Sequence, residues 1–136
     1  MEIVLEDKKV KDVMTVEVIS VNISHPISKV ISILSTRDVS GVVVVDNVGD
    51  VVGIISAMDI FKLFDGDKKV KLNYYAEDVM TPYTITIMPG ADLYEAGRLM
   101  LENGIHRLVV TESPLRKRPI GIISSTDIIK EIKNLI

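Results

Sequence analysis

One eight-residue stretch occurs twice in the chain. Residues 53–60 read Gly-Ile-Ile-Ser-Ala-Met-Asp-Ile, and residues 121–128 read Gly-Ile-Ile-Ser-Ser-Thr-Asp-Ile. In each copy an apolar run typical of a strand leads into Ser, and Asp follows three residues later, which is the spacing of a first helical turn. We call these stretches the first and the second closing turn. A chain that carries such a turn twice is expected to fold as two copies of one unit.

The repetition extends over most of the sequence. Residues 12–15 and 78–81 both read Asp-Val-Met-Thr, which gives an offset of 66 residues, and we call them the first and the second opening segment. The offset becomes 68 at the closing turns, because the second copy has a longer loop before its turn. We therefore predict a first repeat at 8–64, a linker at 65–73 and a second repeat at 74–136.

Each repeat begins with the pattern of a strand followed by a helix. Residues 16–21 and 83–87 are rich in β-branched side chains and predict short strands. Apolar residues at helical spacing follow in both copies, at Ile27, Val30, Ile31 and Leu34, and at Leu93, Ala96, Gly97 and Met100.

Each repeat then continues as strand, strand and helix. The valine run at 42–45 is typical of a strand covered on both faces, and 51–55 is its predicted hairpin partner. The last helix is predicted at 56–64 in the first repeat and at 124–135 in the second. The expected fold class is α/β (α+β), with two β-α-β-β-α repeats packed sheet to sheet and related by pseudo-two-fold symmetry.

Composition excludes several classes of function. The 136 residues include no Cys and two His, without a zinc-binding HExxH or a phosphate-loop motif, so we expect neither a metal site nor an enzyme. A net charge of −3 and 4% aromatic residues argue against nucleic-acid binding. Without an apolar run of about 18 residues or a signal peptide, we expect no membrane contact and a cytoplasmic protein.

The closing turns support two interpretations that are compatible with each other. Ser and Asp at this spacing predict a capping box, which needs no ligand. The start of a helix also attracts anions, so the hydroxyl groups of Ser124, Ser125 and Thr126 are candidate phosphate donors. The Asp127 carboxylate is a candidate acceptor for both hydroxyl groups of a ribose.

The two-copy pattern resembles a tandem pair of CBS domains, a Bateman module. The resemblance rests on the opening segments, the valine-rich middle strand and the closing turns, and it spans nearly the whole chain. It implies an adenosine ligand, namely AMP, ADP, ATP or, in some members, S-adenosylmethionine. It implies no required cofactor.

The resemblance also implies two symmetry-related clefts, each formed by both repeats. The first cleft combines Thr15, Ser20, Val39, Ser40, Ser124, Thr126 and Asp127. The second combines Thr81, Thr86, Ile105, His106, Ser56 and Asp59. In the family the Asp binds ribose, small and apolar residues flank adenine, and Ser or Thr with basic groups hold phosphate. We expect the second cleft to be weaker, because Met58 stands where the other turn has Thr126.

His106 and Arg107 enter the middle strand of the second repeat. A single His near a strand is commonly a structural or surface residue. The run His-Arg-Leu-Val-Val, however, is similar to one in the regulatory subunit of AMP-activated kinase, where this pair contacts phosphate. Arg suits that role through its planar, permanently charged group. We therefore add His106 and Arg107 to the predicted nucleotide-binding residues.

The predicted function is that of an adenine-nucleotide sensor that changes conformation within a homodimer and is read by an unidentified partner protein. The dimer is expected from surplus apolar residues on the predicted helices, at Leu93, Ala96, Met100, Ile128, Ile129, Ile132 and Leu135. Two alternatives remain: a structural or dimerisation module without a ligand, and a sensor of an S-adenosylmethionine-type ligand.

Overall fold

The computed structural model describes residues 1–37, 39, 41–82 and 85–136. The first repeat contains α1 (Val10–Val13), β1 (Ser20–Asn22), α2 (Ile27–Thr36), β2 (Gly41–Val45), β3 (Val51–Ser56) and α3 (Ala57–Phe61). The second contains α4 (Ala76–Val79), β4 (Thr81–Pro82), β5 (Thr86–Ile87), α5 (Leu93–Asn103), β6 (Arg107–Thr111), β7 (Pro119–Ser124) and α6 (Ser125–Leu135). The predicted α+β class is confirmed, and each repeat has in addition a short opening helix that the sequence analysis did not predict.

The first strand of each repeat is shorter than predicted. Val16 is 71% exposed and lies before β1, so the β-branched run at 16–21 enters the sheet only at its end. The strand predicted at 83–87 is observed as β5, and residues 83 and 84 lie outside the described residues.

The chain forms two compact units that do not coincide with the two repeats. The continuous unit consists of residues 19–84, and the discontinuous unit consists of residues 1–18 together with 85–136. The opening segment of each repeat therefore belongs to the unit that contains the closing turn of the other repeat.

Both units have the same core topology. In the continuous unit the sheet order is β1-β2-β3-β4, with β1 parallel to β2 and the other pairs antiparallel. In the discontinuous unit the order is β5-β6-β7, with β5 parallel to β6 and β6 antiparallel to β7. The first sheet has one strand more than predicted, because β4 of the second repeat joins it.

Each unit has its own apolar core. That of the continuous unit is formed by Val21, Ile27, Val30, Val42, Val44, Ile55 and Ala76. That of the discontinuous unit is formed by Val10, Ile87, Leu93, Ala96, Met100, Leu108, Val110, Ile123 and Ile128. The opening helices α1 and α4 contribute Val10 and Ala76, so each of them helps to close the core of the other repeat's sheet.

The core of the discontinuous unit contains most of the apolar residues that were predicted to form a dimer surface. Leu93, Ala96 and Met100 are buried in the discontinuous unit, and Ile132 packs against the same cluster. Ile129 is 63% exposed. Most of the apolar residues that were assigned to a dimer surface therefore belong to the core, and the homodimer stays a prediction. No helix within the described ranges has the length and apolar character needed to cross a bilayer.

Candidate functional site

The two opening segments pack against the closing turns crosswise. Thr15 and Ile122 exchange two backbone hydrogen bonds, of 2.8 and 2.9 Å. A Cβ atom on Gly121 would lie 2.6 Å from the Met14 sulfur atom. The glycine of the second closing turn therefore provides the space that the first opening segment needs.

The continuous unit repeats this arrangement. Ile54 pairs with Thr81 where β3 meets β4, and a Cβ atom on Gly53 would lie 2.7 Å from the Met80 sulfur atom. The Asp that begins this opening segment caps its helix, since Asp78 Oδ2 accepts the Tyr75 N–H at 2.8 Å. The two motifs found in the sequence are thus the two sides of one contact, made once in each unit.

The second closing turn forms a capping box that uses only one of the two carboxylate oxygens of Asp127. The Ser124 N–H donates to Asp127 Oδ2 at 2.9 Å, and Ser124 Oγ accepts the Asp127 N–H at 3.2 Å. Asp127 is partly buried, and its Oδ1 atom makes no hydrogen bond to any residue in the described part of the chain. One oxygen therefore stabilises the start of α6, while the other is available as an acceptor.

Two polar residues at the start of β6, His106 just before the strand and Arg107 as its first residue, lie at the same end of the sheet as this turn. Arg107 pairs with Ser124 across the strands, and the Ser125 N–H donates to the His106 carbonyl oxygen at 2.8 Å. His106 and Thr126 are exposed, and Arg107 is partly buried. A carboxylate, hydroxyl groups, an imidazole and a guanidinium group are thus carried by neighbouring residues of one unit.

In the first closing turn the Asp carboxylate also caps the helix through the Ser N–H, but both of its oxygens are occupied. Asp59 is only 4% exposed. Its Oδ2 atom accepts the Ser56 N–H at 2.9 Å and lies 3.3 Å from Ser56 Oγ. Its Oδ1 atom accepts the Thr81 hydroxyl at 2.8 Å and lies 3.3 Å from Lys62 Nζ. Both oxygens therefore have partners within the unit.

The other predicted site residues are divided between the units. Thr15, Thr86 and Ile105 belong to the discontinuous unit, whereas Ser20 and Val39 belong to the continuous unit. Ser40 lies outside the described residues. The two predicted clefts draw on both units, and these groupings stay predictions.

Lys62 is a contact that the sequence analysis missed. It stands three residues after Asp59, a spacing that brings side chains together on one helix face, so the signal was present in the sequence. Among the described residues no group of three or more His, Asp or Glu is arranged to hold a metal ion.

Several solved structures share this fold. The protein CBSX2, solved in complex with AMP, is 25% identical, with a TM-score of 0.80 over 93% of this chain and 97% of that one. The CBS domain pair of protein MJ0100, solved with 5′-methylthioadenosine and S-adenosyl-L-methionine, is 26% identical, with a TM-score of 0.78 over 93% and 97%.

Curated relatives are longer proteins. An inosine-5′-monophosphate dehydrogenase of Methanocaldococcus jannaschii is 35% identical over 126 residues, which is 93% of this chain and 24% of the relative. The uncharacterized protein MJ1232 of the same organism is 38% identical over 125 residues, which is 91% of this chain and 39% of the relative. The chain thus spans less than half the length of these two relatives.

The family model described as CBS domain matches the chain twice, at residues 10–66 and 76–134. Together the two matches cover most of the sequence. The chain therefore belongs to the CBS-domain family, as a pair of CBS domains.

Proposed function

We propose that this chain is a regulatory module that binds an adenine nucleotide (AMP, ADP or ATP) at the second closing turn. The observation that carries the proposal is that the two oxygens of the Asp127 carboxylate differ in their hydrogen bonding. Oδ2 completes the helix cap, and Oδ1 has no hydrogen-bond partner within the described ranges. An oxygen of this kind, on a partly buried carboxylate, is suited to accept the hydroxyl groups of a ribose.

The surroundings of Asp127 suit the phosphate groups of the same ligand. Helix α6 has 11 residues, so its first N–H groups and its dipole favour an anion at the N-terminus. Thr126 supplies an exposed hydroxyl there. Arg107 and His106 enter β6 beside the turn, and a guanidinium group binds phosphate through paired hydrogen bonds.

The solved relatives support an adenosine ligand and define the second candidate. CBSX2 was solved with AMP, and the MJ0100 pair was solved with 5′-methylthioadenosine and S-adenosyl-L-methionine. Asp127 would serve either kind of ligand, since both contain a ribose. Arg107 favours the nucleotide, because a guanidinium group pairs with phosphate, whereas 5′-methylthioadenosine and S-adenosylmethionine carry no phosphate and the latter has a positive sulfonium ion.

Nucleotide binding is also proposed to have a regulatory effect, as expected from the sequence. The nucleotide would act by binding one arrangement of the module more tightly than another. We propose that the module works as a homodimer and that a partner protein reads the change.

Calorimetric titration of Asp127→Asn with adenosine, AMP and ATP tests the proposed ribose contact. Asn keeps an oxygen that accepts the Ser124 N–H, so the helix cap is retained, but its amide group replaces a ribose acceptor with a donor. Since hydrogen bonds to charged groups are worth about 1.5–3 kcal/mol, we expect all three ligands to bind roughly ten- to a hundredfold more weakly.

The matched control for this variant is Asp92→Asn. Asp92 caps α5 in the same unit by accepting the Glu95 N–H at 2.8 Å, and it undergoes the same change of charge and shape. We expect it to leave affinity unchanged. Equal affinities of wild type and Asp127→Asn would remove Asp127 from the site.

Arg107→Ala separates the phosphate contact from the ribose contact. AMP and ATP should lose affinity while adenosine keeps it, and Arg98→Ala on the exposed face of α5 is the control. Equal losses for the three ligands would argue against a phosphate role. If S-adenosylmethionine binds and the nucleotides do not, the second candidate is correct. If none of the four binds, the chain is a ligand-free module.

A further inference from the structure

Each closing turn, taken with its helix and the opening segment paired to it, carries the same four residue types: Ser, Asp, Lys and Thr. Offsets of 68 along the closing helix and 66 in the opening segment relate the two sets. The set in the continuous unit is Ser56, Asp59, Lys62 and Thr81, and the set in the discontinuous unit is Ser124, Asp127, Lys130 and Thr15. Any difference between the two sites at these positions is therefore a difference of structure and not of residue type.

In the continuous unit the four residues form a closed network. Thr81 Oγ1 donates to Asp59 Oδ1 at 2.8 Å, and Lys62 Nζ reaches the same oxygen at 3.3 Å. The side chain of Lys62 is 72% exposed, so it approaches the buried carboxylate from the surface. A buried carboxylate needs both hydrogen bonds and a positive charge, and Asp59 obtains both from its own chain.

In the discontinuous unit the backbone is paired in the same way but the network is open. Thr15 pairs with Ile122 as Thr81 pairs with Ile54. Lys130 is exposed, and neither it nor the Thr15 hydroxyl bonds to Asp127 within the part of the chain that the structure describes. The helices that follow also differ, since α3 has five residues and α6 has 11.

We propose that Asp59 is an internal anchor rather than a ribose ligand, and that Thr81 and Lys62 occupy the oxygen that a ribose would need. Asp59 then holds β4, which follows α4 near the start of the second repeat, against the closing turn of the first repeat. The chain accordingly binds one nucleotide, at Asp127, and this count rests on the proposed function. The anchor itself does not depend on any ligand.

Thermal unfolding of Thr81→Val and Thr15→Val tests the anchor. Each substitution removes one hydroxyl and keeps the shape of the side chain. Because the Thr81 hydroxyl bonds to a buried carboxylate, we expect its loss to lower Tm by roughly 4 °C or more. Thr15→Val should change Tm by less than about 2 °C, as is usual for surface substitutions. Equal shifts for the two variants would overturn the anchor.

The number of AMP molecules bound per chain, measured by calorimetric titration, tests the prediction of a single nucleotide site. We expect one nucleotide per chain in wild type and in Asp59→Asn, with equal affinity, and a loss of binding in Asp127→Asn. Two nucleotides in wild type, one of them lost in Asp59→Asn, would overturn the inference. If wild type binds no AMP, ATP or ADP, the proposed function fails, and the two threonine variants decide the anchor alone.

Discussion

Replacing Gly53 by Ala should destabilise the continuous unit. Gly53 lies on β3 opposite Pro82 of β4. A Cβ atom at this position would lie 2.7 Å from the Met80 sulfur atom and 2.8 Å from the carbonyl oxygen of Thr81. The thioether can rotate away, but the carbonyl belongs to the backbone of β4, so the strand itself must move.

The magnitude follows from two opposing effects. Overpacking of a well-packed site typically costs about 1–3 kcal/mol. The reduced freedom of the unfolded chain returns about 0.4–1 kcal/mol when Gly becomes Ala. We therefore expect Gly53→Ala to lower the free energy of unfolding by about 1–2 kcal/mol.

Two further glycines provide the comparison. At Gly121 the nearest backbone atom, the Thr15 carbonyl oxygen, is 3.1 Å from a built Cβ, and the shorter contact is with the flexible Met14 side chain. Gly121→Ala should therefore cost less than Gly53→Ala. A Cβ atom on Gly97, within α5, would meet no described atom within 4 Å apart from the adjacent residues and backbone of its own helix, so Gly97→Ala should raise stability by about 0.5–1 kcal/mol.

Urea denaturation of the three variants, followed by circular dichroism, measures this order directly. A Gly53→Ala protein as stable as Gly97→Ala would refute the close approach of β4 to β3. A larger loss in Gly121→Ala than in Gly53→Ala would refute the distinction between backbone and side-chain contact.

Two further variants test the framework around the Asp127 site by the same denaturation assay. Gly104 ends α5 in the left-handed conformation, at φ 61°, so Gly104→Ala should cost about 1 kcal/mol, and equal stability would contradict that cap. Leu108, next to Arg107, is 0% exposed in the core, so Leu108→Ala should cost about 2–5 kcal/mol; a loss below about 1 kcal/mol would contradict its burial.

The repeat and the order of elements could be predicted from local patterns. The valine run at 42–45 predicted β2, which is one residue longer, and the helical spacing from Ile27 predicted α2, which extends to Thr36. The crosswise pairing could not be predicted in this way. The two opening segments are identical in sequence, so nothing local distinguishes a pairing of Thr15 with Ile54 from its observed pairing with Ile122.

The same limit applies to the candidate site. In sequence the two closing turns differ in residue type at Thr126 and Met58, the position just before the Asp. The structure shows a second difference, between residues of the same type. The Thr81 hydroxyl bonds to Asp59, whereas the equivalent Thr15 forms no such bond to Asp127 in the described part of the chain. Whether a hydroxyl reaches a carboxylate depends on the path of the chain around it, and that path is set by the whole unit.

Along the chain, the continuous unit lies between the two segments of the discontinuous unit, and this order has a consequence for folding during synthesis. Once the ribosome has released residue 84, every strand of the continuous unit has been made, and domains tend to fold as units during translation. Residues 1–18, although made first, pack with β7 and α6, which are made near the end. A nascent chain stalled before β6 would therefore carry a folded continuous unit and an unpaired first opening segment, with Val10 still exposed to solvent.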